Sequence, residues 1–138
     1  MDYPISLILV AHGSRSSLAT AEIQQFTAAL NKKFSHLYRS CKPAFLEMAS
    51  PSISDCVSEV YDQGVREVHL LPYFLSSGVH VTQDIPKIAT ELSKKLPQLS
   101  IKVLPAIGLM PEMADVVETM VKKELSHSTD AWNFNQSA

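Results

Sequence analysis

The sequence has few cysteines and no long apolar run, the features that are typical of disulfide-bonded secreted proteins, cysteine-based metal sites and membrane proteins. It contains only two cysteines among 138 residues, and Cys41 and Cys56 have neither a disulfide framework nor the spacing of a metal motif. The apolar run at 5–11 lacks a preceding basic segment and is far shorter than the roughly 20 residues that cross a membrane. From these absences we expect a soluble, cytoplasmic protein.

Charge of either sign is also in short supply. The 12 basic and 14 acidic residues give a net charge of -2, so neither a nucleic acid nor a membrane surface is an expected partner. Hydrophobic residues make up 46% of the chain, enough for the core of one domain. We assign that domain to 1–125 and treat 126–138 as a polar tail, in which Trp132 and Phe134 are candidate docking residues.

Segments with the pattern of buried strands alternate with segments in which apolar residues recur at helical spacing. Strands are predicted at 5–11, 43–49, 66–75 and 99–104, and helices at 17–36, 51–63, 82–96 and 111–125. The alternation predicts an α/β fold, a single four-stranded parallel sheet with helices on both faces. In such folds ligands bind beyond the carboxyl ends of the strands.

Three residues with metal-binding side chains lie at or near those ends. His12 follows the first strand, His80 follows the third, and Glu47 interrupts the apolar second strand. Imidazole is a common ligand of divalent transition metals, and a carboxylate inside a strand requires a partner. Each residue also has a structural interpretation: a hydrogen-bonded or helix-capping histidine, or a solvated glutamate. The functional interpretation of Glu47 is a metal ligand or a proton acceptor.

Hydroxyl groups and one guanidinium surround the same positions. They are Ser14, Arg15, Ser76, Ser77 and Thr82. Turn formation and helix capping explain some of these residues. Together with the N–H groups of helix N-termini, they could also form a collar that binds an anionic substrate.

The motifs around these residues resemble those of a known family, the class II chelatases. Residues 9–15 (LVAHGSR) and 72–86 (PYFLSSGVHVTQDIP) resemble its two signatures, and 45–51 (FLEMASP) fits the segment between them. The resemblance spans residues 5–125. It implies a lyase that inserts Co2+, Fe2+ or Ni2+ into sirohydrochlorin without ATP, in cobalamin or siroheme biosynthesis, with Co2+ favoured.

The resemblance also implies how the site is built. His12 and His80 become the metal ligands, Glu47 the carboxylate of the metal site, and the collar residues contact the polyanionic tetrapyrrole. No cofactor beyond the substrate metal is expected. Short members of the family consist of one half of the longer ones and act as homodimers, so we expect a homodimer.

Two rival functions remain at this point. A histidine phosphatase would need an arginine directly before the histidine, and Ala11 occupies that position. A non-catalytic metal carrier would bind the ion without needing the anion-binding collar.

Overall fold

The computed structural model describes residues 5–126. Four strands form one parallel sheet in the order β2-β1-β3-β4. Their bounds are β1 (Ile5–Ala11), β2 (Ser40–Phe45), β3 (Glu67–Pro72) and β4 (Ser100–Val103). The predicted fold class is confirmed, and β1 lies between the strands that precede Glu47 and His80.

Four α-helices connect or follow the strands. They are α1 (Ser17–Lys33), α2 (Ile53–Asp62), α3 (Ile85–Lys95) and α4 (Met113–Ser126). The side chains of Ser16 and Ser52 cap α1 and α2 by accepting the backbone N–H of Ala19 and Asp55. Within residues 5–126 there are also two short turns, a π-helical turn at His80–Asp84 and a 3-10 turn at Ile107–Leu109.

The main core lies between one face of the sheet and the helices α2 and α3. Its buried members include Ile8, Val10, Val68, Leu70, Ile53, Val57, Val60, Ile85 and Leu92. Cys56 packs in the same core, and burial raises the pKa of its thiol to about 11. The raised pKa keeps the thiol protonated at neutral pH, as expected of a cysteine that packs as a small apolar residue.

The opposite face of the sheet carries Leu7 and Leu9, which are also buried, and α1 packs on the neighbouring strand β2. Helix α4 is different, because none of its residues is buried. Its apolar side chains are exposed instead: Val116, Val117, Met120, Val121 and Leu125. A contiguous apolar helix face of this kind is typical of a contact surface.

The second strand is shorter than predicted, which changes the setting of Glu47. β2 ends at Phe45, and the next two N–H groups, of Leu46 and Glu47, donate to successive carbonyls of Ala11 and His12. In a strand, successive N–H groups point to opposite sides. Because the N–H groups of Leu46 and Glu47 both point toward β1, the regular strand has ended at this point. The prediction that Glu47 interrupts a strand covered on both faces is wrong, and its carboxylate is half-exposed on a loop.

The helix predicted from residue 82 is also displaced. α3 begins at Ile85, with Pro86 in its first turn, and the preceding π-helical turn contains His80 and Thr82. Within residues 5–126, no helix is long and apolar enough to cross a lipid bilayer. Trp132 and Phe134, and the predicted tail beyond Ser126, lie outside the described residues.

Candidate functional site

The histidines that follow β1 and β3 lie side by side at the carboxyl edge of the sheet. The ring centroids of His12 and His80 are 4.9 Å apart, and the rings meet edge to face at 62°. They are adjacent because β1 and β3 are hydrogen-bonded neighbours that end at the same level of the sheet. At that level the backbone N–H of Tyr73 donates to the carbonyl of Val10. The prediction that one ion could reach both imidazoles is consistent with this placement.

Glu47 lies against His12 on the other side. Its Oε1 is 2.9 Å from Nε2 of His12, while Nδ1 of the same ring is 3.1 Å from the carbonyl oxygen of Gly13. If Nδ1 donates to that carbonyl, Nε2 is left with a lone pair facing a carboxylate, which also only accepts. The short contact therefore requires one shared proton, or a cation, between Nε2 and Oε1.

The distance between these two atoms suits a metal ion as well as a proton. Ligand bonds to divalent transition metals are about 2.1 Å long, so neighbouring ligands of an octahedral ion are about 3 Å apart. The 2.9 Å between Nε2 of His12 and Oε1 of Glu47 needs little change to become such an edge. Exchange of the shared proton for a divalent ion is then a small structural step.

His80 is held by a carboxylate that the sequence analysis did not single out. Its Nδ1 is 2.7 Å from Oδ2 of Asp84, four residues later in the π-helical turn. This contact leaves Nε2 of His80 as the nitrogen available to a ligand. The i,i+4 spacing of a histidine and an aspartate was the signal in the sequence that could have revealed the pair.

Two left-handed backbone positions bring the loops of His12 and Glu47 together. Gly13 has a φ of +100°, and a Cβ atom at this position would overlap the carbonyl oxygen of Glu47. Met48, the residue after Glu47, has a φ of +63°, which is uncommon outside glycine. Backbone strain next to a cluster of polar side chains is typical of a functional site.

The site is open rather than closed around an ion. In the part of the chain that the structure describes, no three His, Cys, Asp or Glu side chains converge on one metal position. His12 is engaged by Glu47 and His80 by Asp84, and both histidine side chains are about 40% exposed. Such an arrangement leaves coordination positions free for a second molecule, as catalytic metal sites do.

The five predicted collar residues differ in their surroundings. Ser14 borders a cavity of about 460 Å³, and its Oγ accepts the N–H of Ser16, so its own proton remains available. Arg15, Ser76 and Ser77 are exposed on the loops after β1 and β3. The hydroxyl of Thr82 already donates to the carbonyl of Gly78, which is the turn-forming interpretation of this residue.

Two aromatic residues near the histidines were not predicted as site residues. Phe26 and Tyr73 have ring centroids 5.4 Å apart and line both the cavity beside Ser14 and a second, apolar cavity of about 470 Å³. The second cavity extends to Met113 and Val116 of α4. Phe26 lies on α1 and is 38% exposed, so it borders open space instead of packing fully in the core.

Comparisons with known proteins identify a family and several relatives. The CbiX family model matches residues 6–124. The chain is 31% identical over 121 residues to the chloroplastic sirohydrochlorin ferrochelatase of Arabidopsis thaliana, covering 88% of this chain and 53% of that protein. It is 32% identical over 88 residues to the sirohydrochlorin cobaltochelatase of Methanococcoides burtonii, covering 64% of this chain and 66% of that protein.

Solved structures give the same result. A cobalamin biosynthesis CbiX protein from Marinobacter aquaeolei superposes with a TM-score of 0.73 at 27% identity, covering 89% of this chain and 98% of that one. The sirohydrochlorin chelatase of Bacillus subtilis subspecies spizizenii, solved with cobalt, gives 0.70 at 25% identity, covering 86% of this chain and 50% of that one.

The chain thus spans between about half and two thirds of the sequence relatives it matches. The family model, by contrast, covers nearly all of the residues that the structure describes. The chain belongs to the CbiX family, and its resemblance to the class II chelatases is confirmed.

Proposed function

We propose that this protein inserts a divalent metal ion into sirohydrochlorin without ATP, and that Co2+ is its preferred metal, with Fe2+ and Ni2+ as alternatives. The observation that carries the proposal is the placement of His12, His80 and Glu47 together at the carboxyl edge of the sheet. Nitrogen and oxygen donors of this kind bind all three metals, so supply and geometry decide among them. The names of the relatives, cobaltochelatase and ferrochelatase, support the same reaction.

The proposed reaction begins when the ion displaces the proton shared by His12 and Glu47. Nε2 of each histidine and Oε1 of Glu47 are its ligands, and the remaining positions face the macrocycle. The ring nitrogens then replace the protein ligands one at a time, and each metallated ring releases two N–H protons. One of them restores the proton between His12 and Glu47, and the other passes to solvent.

The macrocycle would lie over the two cavities that share Phe26 and Tyr73. Aromatic side chains and the apolar walls of the second cavity suit a flat tetrapyrrole ring. Ser14, Arg15, Ser76 and Ser77 lie on the loops at this edge and would contact its carboxylates. Thr82 is the weakest of the five proposed contacts, because its proton is already donated to Gly78.

The direct test uses the absorbance of the substrate. Full-length protein is mixed with sirohydrochlorin and Co2+ without ATP, and the spectrum of the metallated product is followed against a protein-free control. Metallation above the spontaneous rate supports the proposal. A carrier without catalytic function would bind Co2+ and leave the rate at background.

A cytoplasmic location remains a prediction from the sequence.

The Glu47→Gln variant tests the carboxylate. We expect at least a tenfold loss of insertion rate, about 1.4 kcal/mol of barrier, because the amide neither ligates a cation well nor accepts a proton. The free energy of unfolding should change by less than about 0.5 kcal/mol, since the side chain is half-exposed. Initial rates and thermal melting of the same preparation measure the two effects.

A matched control for this variant is Glu59→Gln. Glu59 is about as exposed as Glu47 and pairs at 2.8 Å with Lys42 rather than with a histidine. The Glu59→Gln substitution removes the same charge and should leave the insertion rate unchanged. A structural role, in which Glu47 pairs with Arg15 or Arg66, finds no support, because its ion pair is with His12 and Arg66 lies over the ring of Tyr61. Full activity with reduced stability in Glu47→Gln would nevertheless remove this residue from the site.

We also propose that the protein is a homodimer that uses the apolar face of α4. Met113, Val116, Val117, Met120 and Val121 follow one another at spacings of three, one, three and one, which places them on one side of the helix. All are at least partly exposed, and the apolar cavity that reaches Val116 continues this surface. A second copy would cover the face and extend the wall beside the histidines.

The Val117→Glu variant tests this dimer. Light scattering of the wild type should report about 30 kDa, twice the 15.2 kDa of one chain. A charge at position 117 should shift the mass to that of the monomer, because an unpaired carboxylate is costly in an apolar interface. Thr119→Glu adds the same charge two residues away, on the other side of α4, and should remain dimeric. A wild type that is monomeric and fully active would exclude the proposed dimer.

A further inference from the structure

Asp84 is a second carboxylate beside the two histidines. It contacts His80, whereas Glu47 contacts His12. Oδ2 of Asp84 lies 2.7 Å from Nδ1 of His80. Both residues belong to the π-helical turn at His80–Asp84, which ends immediately before α3. In a continuous α-helix the ring of Pro86 would collide with the carbonyl of Thr82, so the wider turn also accommodates the proline.

This contact decides which nitrogen of His80 is free. A neutral imidazole carries one proton, and a carboxylate at Nδ1 holds the proton there. Nε2 then keeps its lone pair on the side away from Asp84. His12 is arranged differently, because the carboxylate of Glu47 faces its Nε2 and the carbonyl of Gly13 faces its Nδ1. Nε2 of His80 is therefore free for an ion at the outset, whereas Nε2 of His12 becomes free when the proton that it shares with Glu47 leaves.

The remaining neighbours of the His80 ring do not fix its rotation by themselves. The ring of His12 meets it at a centroid distance of 4.9 Å, and the ring of Phe74 lies at 6.1 Å, tilted by 34°. Both contacts limit where the imidazole can lie, but neither distinguishes Nδ1 from Nε2. Among the contacts of His80 in the described structure, the hydrogen bond to Asp84 is the one that makes this distinction.

We propose that Asp84 is a positioning residue of the metal site, which holds His80 in the tautomer and ring orientation that present Nε2 to the ion. The inference rests on the proposed function, since it assumes that His80 is a metal ligand. Carboxylates behind ligating histidines orient the ring and increase its basicity, and their loss commonly weakens metal binding 10- to 100-fold. Asp84 contacts the ion only through His80.

The test measures Co2+ binding by calorimetry on the full chain at a fixed pH, together with the d–d absorption spectrum of the bound Co2+. Asp84→Ala should raise the Kd for Co2+ by about 10- to 100-fold and leave the shape of the spectrum unchanged, because the ligand atoms stay the same. Asp84→Asn should recover part of that loss, since its amide oxygen still accepts from Nδ1–H. His80→Ala should both weaken binding and change the spectrum.

Glu91→Ala is the matched control. Glu91 lies on α3 seven residues after Asp84 and borders the same cavity of about 350 Å³, together with Glu47, His80 and Lys87. It removes the same charge from that cavity without removing a contact to His80, so its Kd should stay within about twofold of wild type. Circular dichroism of each variant establishes that the fold is retained.

Three results would overturn the inference. The first is Co2+ binding by Asp84→Ala within about twofold of wild type. The second is an equal loss of affinity in Glu91→Ala, which would point to the charge of the cavity alone. The third is binding by Asp84→Asn that is as weak as in His80→Ala and has a changed spectrum, which would make Asp84 a ligand. A wild type that neither binds Co2+ nor metallates sirohydrochlorin would overturn the proposed function itself, a result distinguishable from the first three.

Discussion

Replacing either His12 or His80 with alanine is expected to reduce metal insertion to the spontaneous rate while the fold is retained. Both side chains are about 40% exposed at the edge of the sheet, so neither contributes much to the core. Loss of one imidazole leaves a single nitrogen and one carboxylate oxygen, which hold a divalent ion too weakly to present it to the macrocycle. Initial rates of metallation and Co2+ binding measure the effect.

The double variant should be no worse than either single one. Residues that act as one unit are strongly non-additive, because removal of any member already abolishes the function. If the two histidines acted independently, the double variant would lose the product of the two single effects. Where the residual rates exceed the spontaneous rate, equal rates in all three variants indicate one shared ion.

His69 provides the control for this pair of variants. Its Nε2 lies 2.7 Å from Oε2 of Glu67, so it too is a histidine paired with a glutamate. It lies inside β3, one strand position from Leu70 of the core and well before the end of the strand, and its Nδ1 contacts the hydroxyl of Tyr38. His69→Ala should lower stability somewhat and leave the insertion rate of the folded protein unchanged. Wild-type rates in both His12→Ala and His80→Ala would show that the site lies elsewhere.

The position of these histidines could be predicted from the sequence because a parallel sheet leaves few choices. Residues that follow neighbouring strands must meet at the carboxyl edge. The apolar run before His12 located the end of β1, whereas β3 ends at Pro72, three residues before the predicted end at residue 75. His12 and His80 meet there as predicted. The family signatures supplied the chemistry, and the strand pattern supplied the place.

Glu47 was predicted in the right region for a partly wrong reason. The apolar residues around it resemble a buried strand, but hydrogen bonds rather than hydrophobicity decide where a strand ends. The N–H groups of Leu46 and Glu47 both bond to the β1 side, and Met48 takes a left-handed conformation. None of this is encoded in the alternation of polar and apolar residues. The prediction that Glu47 lies in a buried strand was therefore wrong, although Glu47 does lie next to His12.

The contribution of Asp84 and the exposure of α4 could not be read from periodicity either. A helix with a regular apolar face is expected to pack on its own sheet, and the sequence gives no sign that the face of α4 remains uncovered. The i,i+4 spacing of His80 and Asp84 indicated that the two could meet, but the apolar periodicity predicted neither the contact nor the π-helical turn in which it lies. Local departures from ideal geometry of this kind often occur at functional sites.

Gly13→Ala is expected to destabilise the protein by roughly 2–5 kcal/mol and to lower the insertion rate by about 100-fold. A residue with a Cβ pays about 1–2 kcal/mol for the left-handed conformation that Gly13 adopts. The new methyl group would also overlap the carbonyl oxygen of Glu47, and relieving such overlap by moving backbone costs about 1–3 kcal/mol more. The movement displaces Glu47 from His12, and misplacement by about 1 Å costs catalysis on that scale.

Alanine substitutions at two other glycines distinguish the cost of backbone strain from the cost of atomic overlap. Gly64 also has a positive φ, +99°, but a Cβ there would meet only the guanidinium of Arg39 at an ordinary 3.5 Å. Gly78 has neither a positive φ nor any atom within 4 Å of the added Cβ. Gly64→Ala should therefore cost about 1–2 kcal/mol without loss of activity, and Gly78→Ala should change stability by less than about 0.5 kcal/mol.

The order of the three variants is the decisive result. Chemical denaturation should rank the loss of stability as Gly13 above Gly64 above Gly78, and Co2+ binding should be weakened in the Gly13 variant alone. If Gly13→Ala were no less stable than Gly64→Ala, the loop of Glu47 would be free to move away and its close approach to Gly13 would not be fixed by packing. If its stability fell while Co2+ affinity and rate remained at wild-type levels, the position of Glu47 relative to His12 would not matter for the reaction. The contact between Gly13 and the Glu47 backbone is functional only if stability, metal affinity and rate all fall in this one variant.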